Sequence, residues 1–316
     1  MIDVSAIIVN YNTRHLIERV LISLRESIGS LRLQICIVDN ASRDSSAEYI
    51  QEQHPDCNFL ANTCNVGFGR ANNMMASRAT GRYILLLNTD AFILKDSLLK
   101  SVTYMDTHSD CGILGAKLIS EDGELQPSCR YFPTPWNVFL SRAGLGRYFP
   151  RTTMVDDFDW AHDEARECDW IPGCYYLIRR ECFEQIGLFD PLFFLYYEEV
   201  DHCRLAKAAG WKVIYFPGAV VVHLGGESAK SDSTLTQAGR QISGLQVESE
   251  LLYFRKHYGV VGLALSLVLS SLADIILASK EGFRAREISR VFSSIPNLIF
   301  RFKILQATSW AKQSTR

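Results

Sequence analysis

Four short polar segments in the first third of the chain carry residue types that can do chemistry. They are residues 10–12 (NYN), 39–42 (DNAS), 65–70 (NVGFGR) and 88–90 (NTD), and each follows an apolar run. Asn, Asp and Ser in such places often only form turns or cap helices, so a single segment is weak evidence. Carboxylates also bind hard divalent cations and accept protons in catalysis. Four such segments at one edge of a sheet would predict a polar, ligand-binding cleft.

The elements around these segments alternate regularly. Apolar runs at 4–9, 33–38, 57–61 and 83–87 predict strands, and 13–27, 45–53, 69–79 and 97–106 predict helices. Continuous apolar strands separated by helices predict an α/β fold with a mostly parallel sheet covered on both faces. Since ligands of such sheets bind beyond the carboxyl ends of the strands, the four segments should meet there.

The middle of the chain has a less regular pattern. Asp122-Gly123 predicts a hairpin within KLISEDGELQ, and residues 131–167 are predicted to form an irregular insertion. A regular pattern returns with a strand and a helix in CYYLIRRECFEQIGLFD. It continues with a helix that ends at Gly210 and a strand over 211–216.

Composition excludes several classes of protein. The 316 residues include 47% hydrophobic side chains and have a formal net charge of −2, so a sizeable core is expected and a nucleic-acid binder is not. The nine cysteines show no metal-site spacing, which indicates reduced thiols in a reducing compartment. The first residues, MIDVSAIIVNYN, show no signal peptide, so we expect a cytoplasmic catalytic part.

The motifs AIIVNYN, IVDNASRDSS, NVGFGRANN and LLLNTD, with the later block DWIPGC…VVVHLGG, resemble family 2 glycosyltransferases of the GT-A fold, and more narrowly their rhamnosyltransferase-like branch. The resemblance covers roughly residues 4–226. It implies a Rossmann-like catalytic domain over 1–235, with a nucleotide-sugar half (1–117) and an acceptor half (118–235). Residues 236–316 would form a C-terminal helical extension.

The resemblance also implies a metal site. The family's DXD motif, which holds a divalent cation on the nucleotide diphosphate, matches Asn88-Thr89-Asp90, so Asp90 would contact the metal and Asn88 replaces the first acid. His223 would be a second ligand, although a lone His after a strand is usually structural. Few protein ligands suffice, because diphosphate and water complete the coordination of Mg²⁺ or Mn²⁺. An imidazole ligand favours Mn²⁺.

Three further residues match nucleotide contacts of the family. Asp39 would hydrogen-bond the pyrimidine base, Arg70 would contribute a positive contact, and Tyr11 would pack near the base. The plainer alternatives are a rim aromatic for Tyr11 and a solvated helix side chain for Arg70. Trp170 and Gly173 fall where the family lines its acceptor side, and Trp170 is equally well explained as a core residue.

The family's catalytic base is the Asp of an acidic pair that opens a helix. Here Glu199 of Glu198-Glu199-Val200-Asp201 occupies that position. Glu is longer by one methylene, and a misplacement of about 1 Å can cost ~100-fold in rate. Glu198 could share the task, and Asp201 is the alternative base. Acidic residues are also favoured in the first turn of any helix.

The C-terminal region combines an apolar stretch with basic residues. Residues 260–278 carry one charge, Asp274, and have about the length of a membrane span of roughly 20 residues. Asp274 and the serines of this stretch weaken insertion, whereas the eight Lys and Arg from residue 280 onward predict peripheral binding to the anionic inner face of the membrane. A soluble helix that packs on the catalytic domain or on a second copy is the alternative.

These features together predict an inverting, metal-dependent transfer of L-rhamnose from dTDP-rhamnose to a lipid-linked or polysaccharide acceptor in cell-surface glycan synthesis. Because Glu199 replaces Asp, the alternative is a catalytically weak protein that binds sugar nucleotides or assists assembly. A dinucleotide-dependent oxidoreductase is disfavoured, since no GxGxxG follows the first strand.

Overall fold

The computed structural model describes residues 1–225, 244–285 and 295–316. Ten strands in the described residues form one mixed sheet. In chain order, β1 to β10 span Val4–Asn10, Leu33–Asp39, Asn58–Ala61, Tyr83–Asn88, Ala91–Ile93, Cys111–Ile119, Leu125–Gln126, Arg166–Cys168, Tyr175–Arg179 and Lys212–His223. Eight of them lie in the order β3-β2-β1-β4-β9-β6-β10-β5, with β7 beside β6 and β8 beside β10.

Helices cover both faces of this sheet. In chain order, α1 to α9 span Arg14–Ser27, Ser46–Gln53, Phe68–Ala76, Ser97–Thr107, Pro135–Arg142, Arg180–Ile186, Glu198–Ala208, Gly244–Ala285 and Ile295–Ala307. Because strand side chains alternate between faces, β1 contributes to two cores. Ile7 belongs to the core that includes Met75 and Leu252, and Ile8 to the core that includes Leu21. The prediction of a sheet covered on both faces is confirmed.

The register of the parallel strands brings the polar segments together. Asn10 at the end of β1 lies opposite Asp39 at the end of β2, and Val9 lies opposite Asn88 at the end of β4. Since β1, β2 and β4 are parallel, their carboxyl ends share one edge, as the alternation of runs and helices predicts. Four strands depart from the parallel pattern: β9 is inserted antiparallel between β4 and β6, and β5, β7 and β8 pair antiparallel with β10 or β6.

Two elements differ from the sequence predictions. Residues 131–167 are not wholly irregular, because α5 begins there with a capping box between Thr134 and Asn137 and with Pro135 in its first turn. The single helix of eight residues was too short to show a clear periodicity. The last strand, β10, is also longer than predicted, since a register shift between Phe216 and Val220 accommodates a Pro-Gly pair. It therefore extends to His223.

The C-terminal region is helical, as predicted. α8 is bent at Gly259, where φ is 68°, and α9 packs against it. The predicted boundary between residues 235 and 236 lies outside the described residues, and the boundary between residues 117 and 118 falls inside β6. This division of the chain into halves and regions stays a prediction.

Candidate active site

A cavity of about 540 Å³ lies at the carboxyl edge of the sheet. All four polar segments contribute to it, through Tyr11, Asn40, Asn65, Gly67, Phe68, Asn88, Thr89 and Asp90. Later parts of the chain supply Gln126, Arg130, Gly173, Glu198, Glu199 and His223. The size is within the range of small-molecule sites, about 300–1,000 Å³. The predicted polar cleft is therefore present.

Buried hydrogen bonds hold the first strand ends in place. Asn10 Nδ2 donates to Asp39 Oδ1 over 2.8 Å, and Thr13 Oγ1 donates to Asn10 Oδ1 over 2.7 Å. Thr13 Oγ1 also lies 2.8 Å from Thr89 Oγ1, which joins this network to the 88–90 segment. Because buried polar groups are costly when unpaired, such a closed network fixes the loops rigidly.

Asp39 is engaged in this network. Its side chain is 2% exposed, and Oδ2 accepts a hydrogen bond from the backbone N–H of Ser42 over 3.0 Å. Among the described residues that line the cavity, Asn40 is present and Asp39 is not. Its role as a contact to the base stays a prediction.

Gly67 joins the strand-end side of the cavity to the segment that precedes α7. Its φ is 89°, and a Cβ at this position would lie 2.3 Å from the backbone oxygen of Phe194. The backbone N–H of Phe68 donates to the same oxygen over 2.9 Å. Asn65 Oδ1 accepts from the backbone N–H of Gly67 over 2.9 Å and holds the turn. Only glycine fits this approach without displacing Phe194.

Asp90 and His223 form one of two pairs of ionisable side chains among the described residues that line the cavity. His223 Nε2 lies 3.6 Å from Asp90 Oδ1, and the backbone N–H of Leu224 donates to Asp90 O. Gln126 Nε2 donates to the backbone oxygen of His223 over 2.9 Å, so its Oε1 faces His223 Nδ1 at 3.0 Å. Nδ1 then carries the proton of the neutral imidazole, and the lone pair of Nε2 points to the side of Asp90.

This donor set fits a divalent cation that a ligand helps to coordinate. Within residues 1–225, 244–285 and 295–316 there is no group of three or more His, Cys, Asp or Glu that could hold a metal ion. A carboxylate and an oriented imidazole supply two ligands, and a diphosphate with water would have to complete the coordination. The arrangement therefore suits a cation that arrives with a phosphorylated ligand.

Glu198 and Glu199 form the second pair, at the start of α7. Within the described residues, neither Glu198 Oε2 nor Glu199 Oε2 has a hydrogen-bond partner. Burial, followed by the charge of Glu199, raises the pKa of Glu198 well above its ordinary value of 4.5. Burial also raises the pKa of Glu199, while backbone hydrogen bonds and the charge of Arg130 offset part of this effect. Carboxyl groups with raised pKa values in a cavity are candidates for acid–base catalysis.

Arg130 is a cavity residue that the sequence patterns did not reveal. It lies in backbone bridges with Asp156 and Trp170, its guanidinium is 4.8 Å from the centre of a Trp170 ring, and Nε lies 2.9 Å from Asp156 Oδ1. It belongs to a stretch without periodicity, so no local signal marked it. Trp170 is buried and donates from Nε1 to the backbone oxygen of Tyr131, which makes it a support for Arg130, whereas Gly173 lines the cavity.

Three other candidate residues occupy different positions. Tyr11 lines the cavity and packs with Phe194. Arg70 points elsewhere, since its guanidinium donates to the backbone oxygens of Pro191 and Arg316. Asp201 is fully buried and lies between Lys256 and His257. Neither Arg70 nor Asp201 is among the described residues that line the cavity, and their predicted roles stay predictions.

Comparison with known proteins shows which proteins this chain is similar to. The family described as "Glycosyl transferase family 2" matches residues 5–201, more than half of the chain. The N-acetylglucosaminyl-diphospho-decaprenol L-rhamnosyltransferase of Mycobacterium tuberculosis is 28% identical over 242 residues, which cover 71% of this chain and 76% of that protein. The rhamnosyltransferase WbbL of Escherichia coli K12 is 26% identical over 167 residues, which cover 50% of this chain and 60% of that protein.

A solved structure supports the same fold. The mannosyltransferase PcManGT from Pyrobaculum calidifontis, in complex with GDP-Man and Mn²⁺, superposes with a TM-score of 0.54 at 17% identity and covers 98% of this chain and 88% of that chain. At this identity the likeness concerns the fold.

Proposed function

This chain belongs to glycosyl transferase family 2, and we propose that it transfers a sugar from a nucleoside diphosphate donor to a lipid-linked or polysaccharide acceptor with inversion at the anomeric carbon. The GT-A fold and the rhamnosyltransferase-like character expected from the sequence are confirmed. It is a glycosyltransferase whose relatives include enzymes that build cell-surface glycans.

One observation carries the proposal. A single cavity holds both the Asp90–His223 pair and the Glu198–Glu199 pair. The first pair suits a cation-bound diphosphate, and the second offers a base. Transfer of a sugar from a nucleotide needs both functions around one anomeric carbon, one on the leaving group and one on the incoming hydroxyl.

We assign the base to Glu199. In the proposed step the acceptor oxygen forms a bond to the anomeric carbon, the bond to the diphosphate breaks, and the acceptor's proton passes to the Glu199 carboxylate. One displacement of this kind inverts the anomeric centre. Two adjacent buried carboxyls do not both ionise readily. Glu198, whose pKa is raised well above its ordinary value by burial and by Glu199, is the member that keeps its proton.

Asp90 and His223 would hold the divalent cation, Mn²⁺ or Mg²⁺, and a bound cation would neutralise charge that develops on the leaving diphosphate. Asn88 and Tyr11, both on the cavity wall, are the proposed nucleotide contacts. Asp39 and Arg70 are hydrogen-bonded elsewhere and are not among the described residues that line the cavity, so their contacts with the nucleotide stay predictions.

The proposed donor is dTDP-L-rhamnose, and the proposed acceptor carries a polyprenyl diphosphate. The support is the activity of the mycobacterial relative, an L-rhamnosyltransferase that acts on a decaprenol-linked sugar, together with that of the E. coli rhamnosyltransferase. A lipid-linked acceptor also requires the enzyme to work at a membrane surface.

The second half of α8 offers such a surface, because several of its polar side chains are buried and many of its apolar side chains are exposed. Ser266, Ser270 and Asp274 lie on one face and are buried, where Arg142 donates to Ser270 Oγ over 2.7 Å and Arg301 of α9 pairs with Asp274. The opposite face exposes Val261, Leu265, Val268, Leu272 and Ile275. Asp274 and two of the three serines that weaken insertion are therefore turned inward, whereas Ser271 is half-buried.

The surroundings of this apolar face fit peripheral binding. Ile299, Phe302 and Trp310 add exposed apolar area, and Lys303 and Lys312 are exposed as well. Among the described residues, one helix, Gly244–Lys280, is long and apolar enough to cross a membrane by length and composition, but it is bent at Gly259. We propose that the second half of α8 lies on the inner face of the plasma membrane, with basic residues near anionic head groups.

A transfer assay tests the function. The purified enzyme is incubated with Mn²⁺, a polyprenyl-diphospho-sugar acceptor and, in parallel, dTDP-rhamnose, UDP-glucose, UDP-GlcNAc or GDP-mannose. Transfer from dTDP-rhamnose in preference to the others, with an inverted anomeric configuration by NMR, is the expected result. Tight binding of dTDP-rhamnose without turnover would instead support the binding-protein alternative, which the replacement of Asp by Glu199 motivates.

A further inference from the structure

The backbone that carries Glu198 and Glu199 has an uncommon conformation. Tyr196 and Tyr197, the two residues before the pair, have φ values of 70° and 68°. Bulky side chains adopt this left-handed region only where the surrounding structure imposes it. The positions of both carboxylates therefore depend on the contacts that stabilise Tyr196 and Tyr197 in this conformation.

The contacts that hold it come from the first half of α8. Ser249 Oγ donates to the backbone oxygen of Leu195 over 2.7 Å, and the Tyr197 hydroxyl donates to Glu250 Oε2 over 3.3 Å. Glu250 is fixed in turn by Arg142, at 2.6 Å. Ser249 and Glu250 of α8 thus contact the chain on both sides of Tyr196.

Lys256, further along α8, forms ion pairs with both ends of a longer segment, residues 190–201. Its Nζ lies 2.7 Å from Oδ1 of Asp201, which follows the acid pair in α7, and 2.6 Å from Oδ2 of Asp190, which precedes the aromatic run. His257 Nε2 lies 2.6 Å from Asp201 Oδ1. Burial alone would lower the pKa of Lys256, but hydrogen bonds to Asp190 and Asp201 outweigh it and raise the pKa. The ammonium therefore stays charged at neutral pH.

We propose that Lys256 is a positioning residue for the catalytic carboxylates. By bridging Asp190 and Asp201 it fixes residues 190–201 as one unit and sets the place of Glu199 against the sugar. The inference rests on the proposed function, in which Glu199 accepts the acceptor's proton. It also gives Asp201 a part other than that of a base, because a fully buried carboxylate held by the Lys256 ammonium and the His257 imidazole serves as an anchor.

The rate of sugar transfer should be sensitive to the position of the Glu199 carboxylate. A misplacement of about 1 Å in a catalytic group can cost ~100-fold in rate, even when the change lies outside the cavity. Donor binding should respond less, since Asn88, Asp90 and His223 lie on the strand-end side of the cavity, and among the proposed donor contacts Tyr11 alone packs against residues 190–201, at Phe194. A positioning role therefore predicts a loss in kcat with little change in donor affinity.

The test compares variants of Lys256 with a matched ion-pair variant. Lys256→Met keeps the aliphatic stem and removes the charge, and we expect kcat to fall at least ~10-fold while the Kd for dTDP with Mn²⁺ changes less than ~2-fold. Lys256→Arg, which can still bridge two carboxylates, should recover much of the rate. Arg82→Met is the control, because Arg82 bridges Asp3 and Asp106 at the opposite edge of the sheet. It should lose stability and keep kcat.

If Lys256→Met folds, two results would overturn the proposal. The first is a kcat for Lys256→Met within ~2-fold of the wild type, and the second is an equal loss of kcat in Arg82→Met at the same folded fraction. If Lys256→Met does not fold, Asp190→Asn removes only half of the bridge and should lower kcat in the same direction, and an unchanged kcat there also overturns it. Full transfer by Glu199→Gln would contradict the proposed function instead, whatever Lys256 does.

Discussion

Asp90 Oδ1 and His223 Nε2 lie 3.6 Å apart on the wall of one cavity, although one follows β4 and the other ends β10. Gln126 sets the ring orientation through hydrogen bonds to Nδ1 and to the backbone oxygen of His223. This geometry suits the pair to hold a divalent cation, as proposed, and the affinity for such a cation would then depend on Gln126.

Removal of the Gln126 hydrogen bonds should weaken metal binding. Groups that orient a metal-binding His typically contribute 10- to 100-fold to metal affinity or activity, so we expect Gln126→Met to weaken Mn²⁺ binding in the presence of dTDP by ~10-fold or more. Asp90→Asn should weaken it at least as much. Titration calorimetry measures both, and Gln185→Met, which only loses a surface contact to Trp211, is the control. Unchanged Mn²⁺ affinity in Gln126→Met and Asp90→Asn would remove the pair from the metal site.

Gly67→Ala should lower the unfolding free energy and the affinity for dTDP by more than backbone strain alone would. A positive φ with an extended ψ, as at Gly67, costs a non-glycine residue roughly 1–3 kcal/mol, and here the new Cβ would also lie 2.3 Å from Phe194 O. Gly187→Ala is a matched control, since φ there is 77° and a Cβ meets nothing within 4 Å. We expect a larger loss of unfolding free energy and weaker dTDP binding in Gly67→Ala only. Equal effects in the two variants would show that the approach to Phe194 is unimportant.

Glu198→Gln should stabilise the fold in a pH-dependent way. Because burial and the charge of Glu199 raise the pKa of Glu198 in the folded chain, the protonated form contributes stability below the ordinary value of 4.5. That contribution is lost as the pH rises through the raised folded pKa. Glutamine cannot ionise, so Tm should exceed that of the wild type at pH 8, with the difference shrinking at pH 4. Glu181→Gln, on an exposed position of α6, should show no such trend, and a pH-independent Tm difference for Glu198→Gln would contradict the account.

Charges placed on the outward face of α8 should abolish membrane binding. Burial of one Val or Leu side chain contributes about 1.5–3 kcal/mol, so the double substitution Leu265→Glu and Val268→Glu should weaken binding to anionic vesicles by well over ~10-fold. The control pair Ile22→Glu and Leu94→Glu changes equally exposed residues elsewhere. Vesicle flotation compares the variants. Wild-type protein that does not float but forms concentration-dependent dimers in sedimentation would favour the alternative, contact with a second copy.

Much of the site follows from local sequence, and the remainder depends on contacts that local patterns do not contain. The meeting of Asn10, Asp39 and Asn88 was predictable, because parallel strands end at one edge. The burial of Asp201 was not, since Lys256 and His257 approach it from a helix far along the chain. Arg130 lies on irregular backbone that carries no periodicity.

The face of α8 shows the same limit. Its apolar residues marked a membrane-active or core helix, but only the structure shows that Asp274 is turned toward Arg301 and that Leu265 faces outward. Hydropathy averaged along the sequence combines both faces of a helix. It therefore cannot distinguish a helix whose polar residues face the protein from one whose polar residues would face the membrane.

The central claim is that Glu199 accepts the acceptor's proton in a cavity that binds a cation-bound nucleotide sugar. Its most direct test is Glu199→Gln, with the transfer rate and the Mn²⁺-dependent dTDP affinity measured on the same preparation. Loss of a general base typically costs 10²- to 10⁴-fold. We therefore expect transfer to fall by at least ~100-fold while dTDP binds with unchanged affinity. Transfer at the wild-type rate from Glu199→Gln would contradict the account.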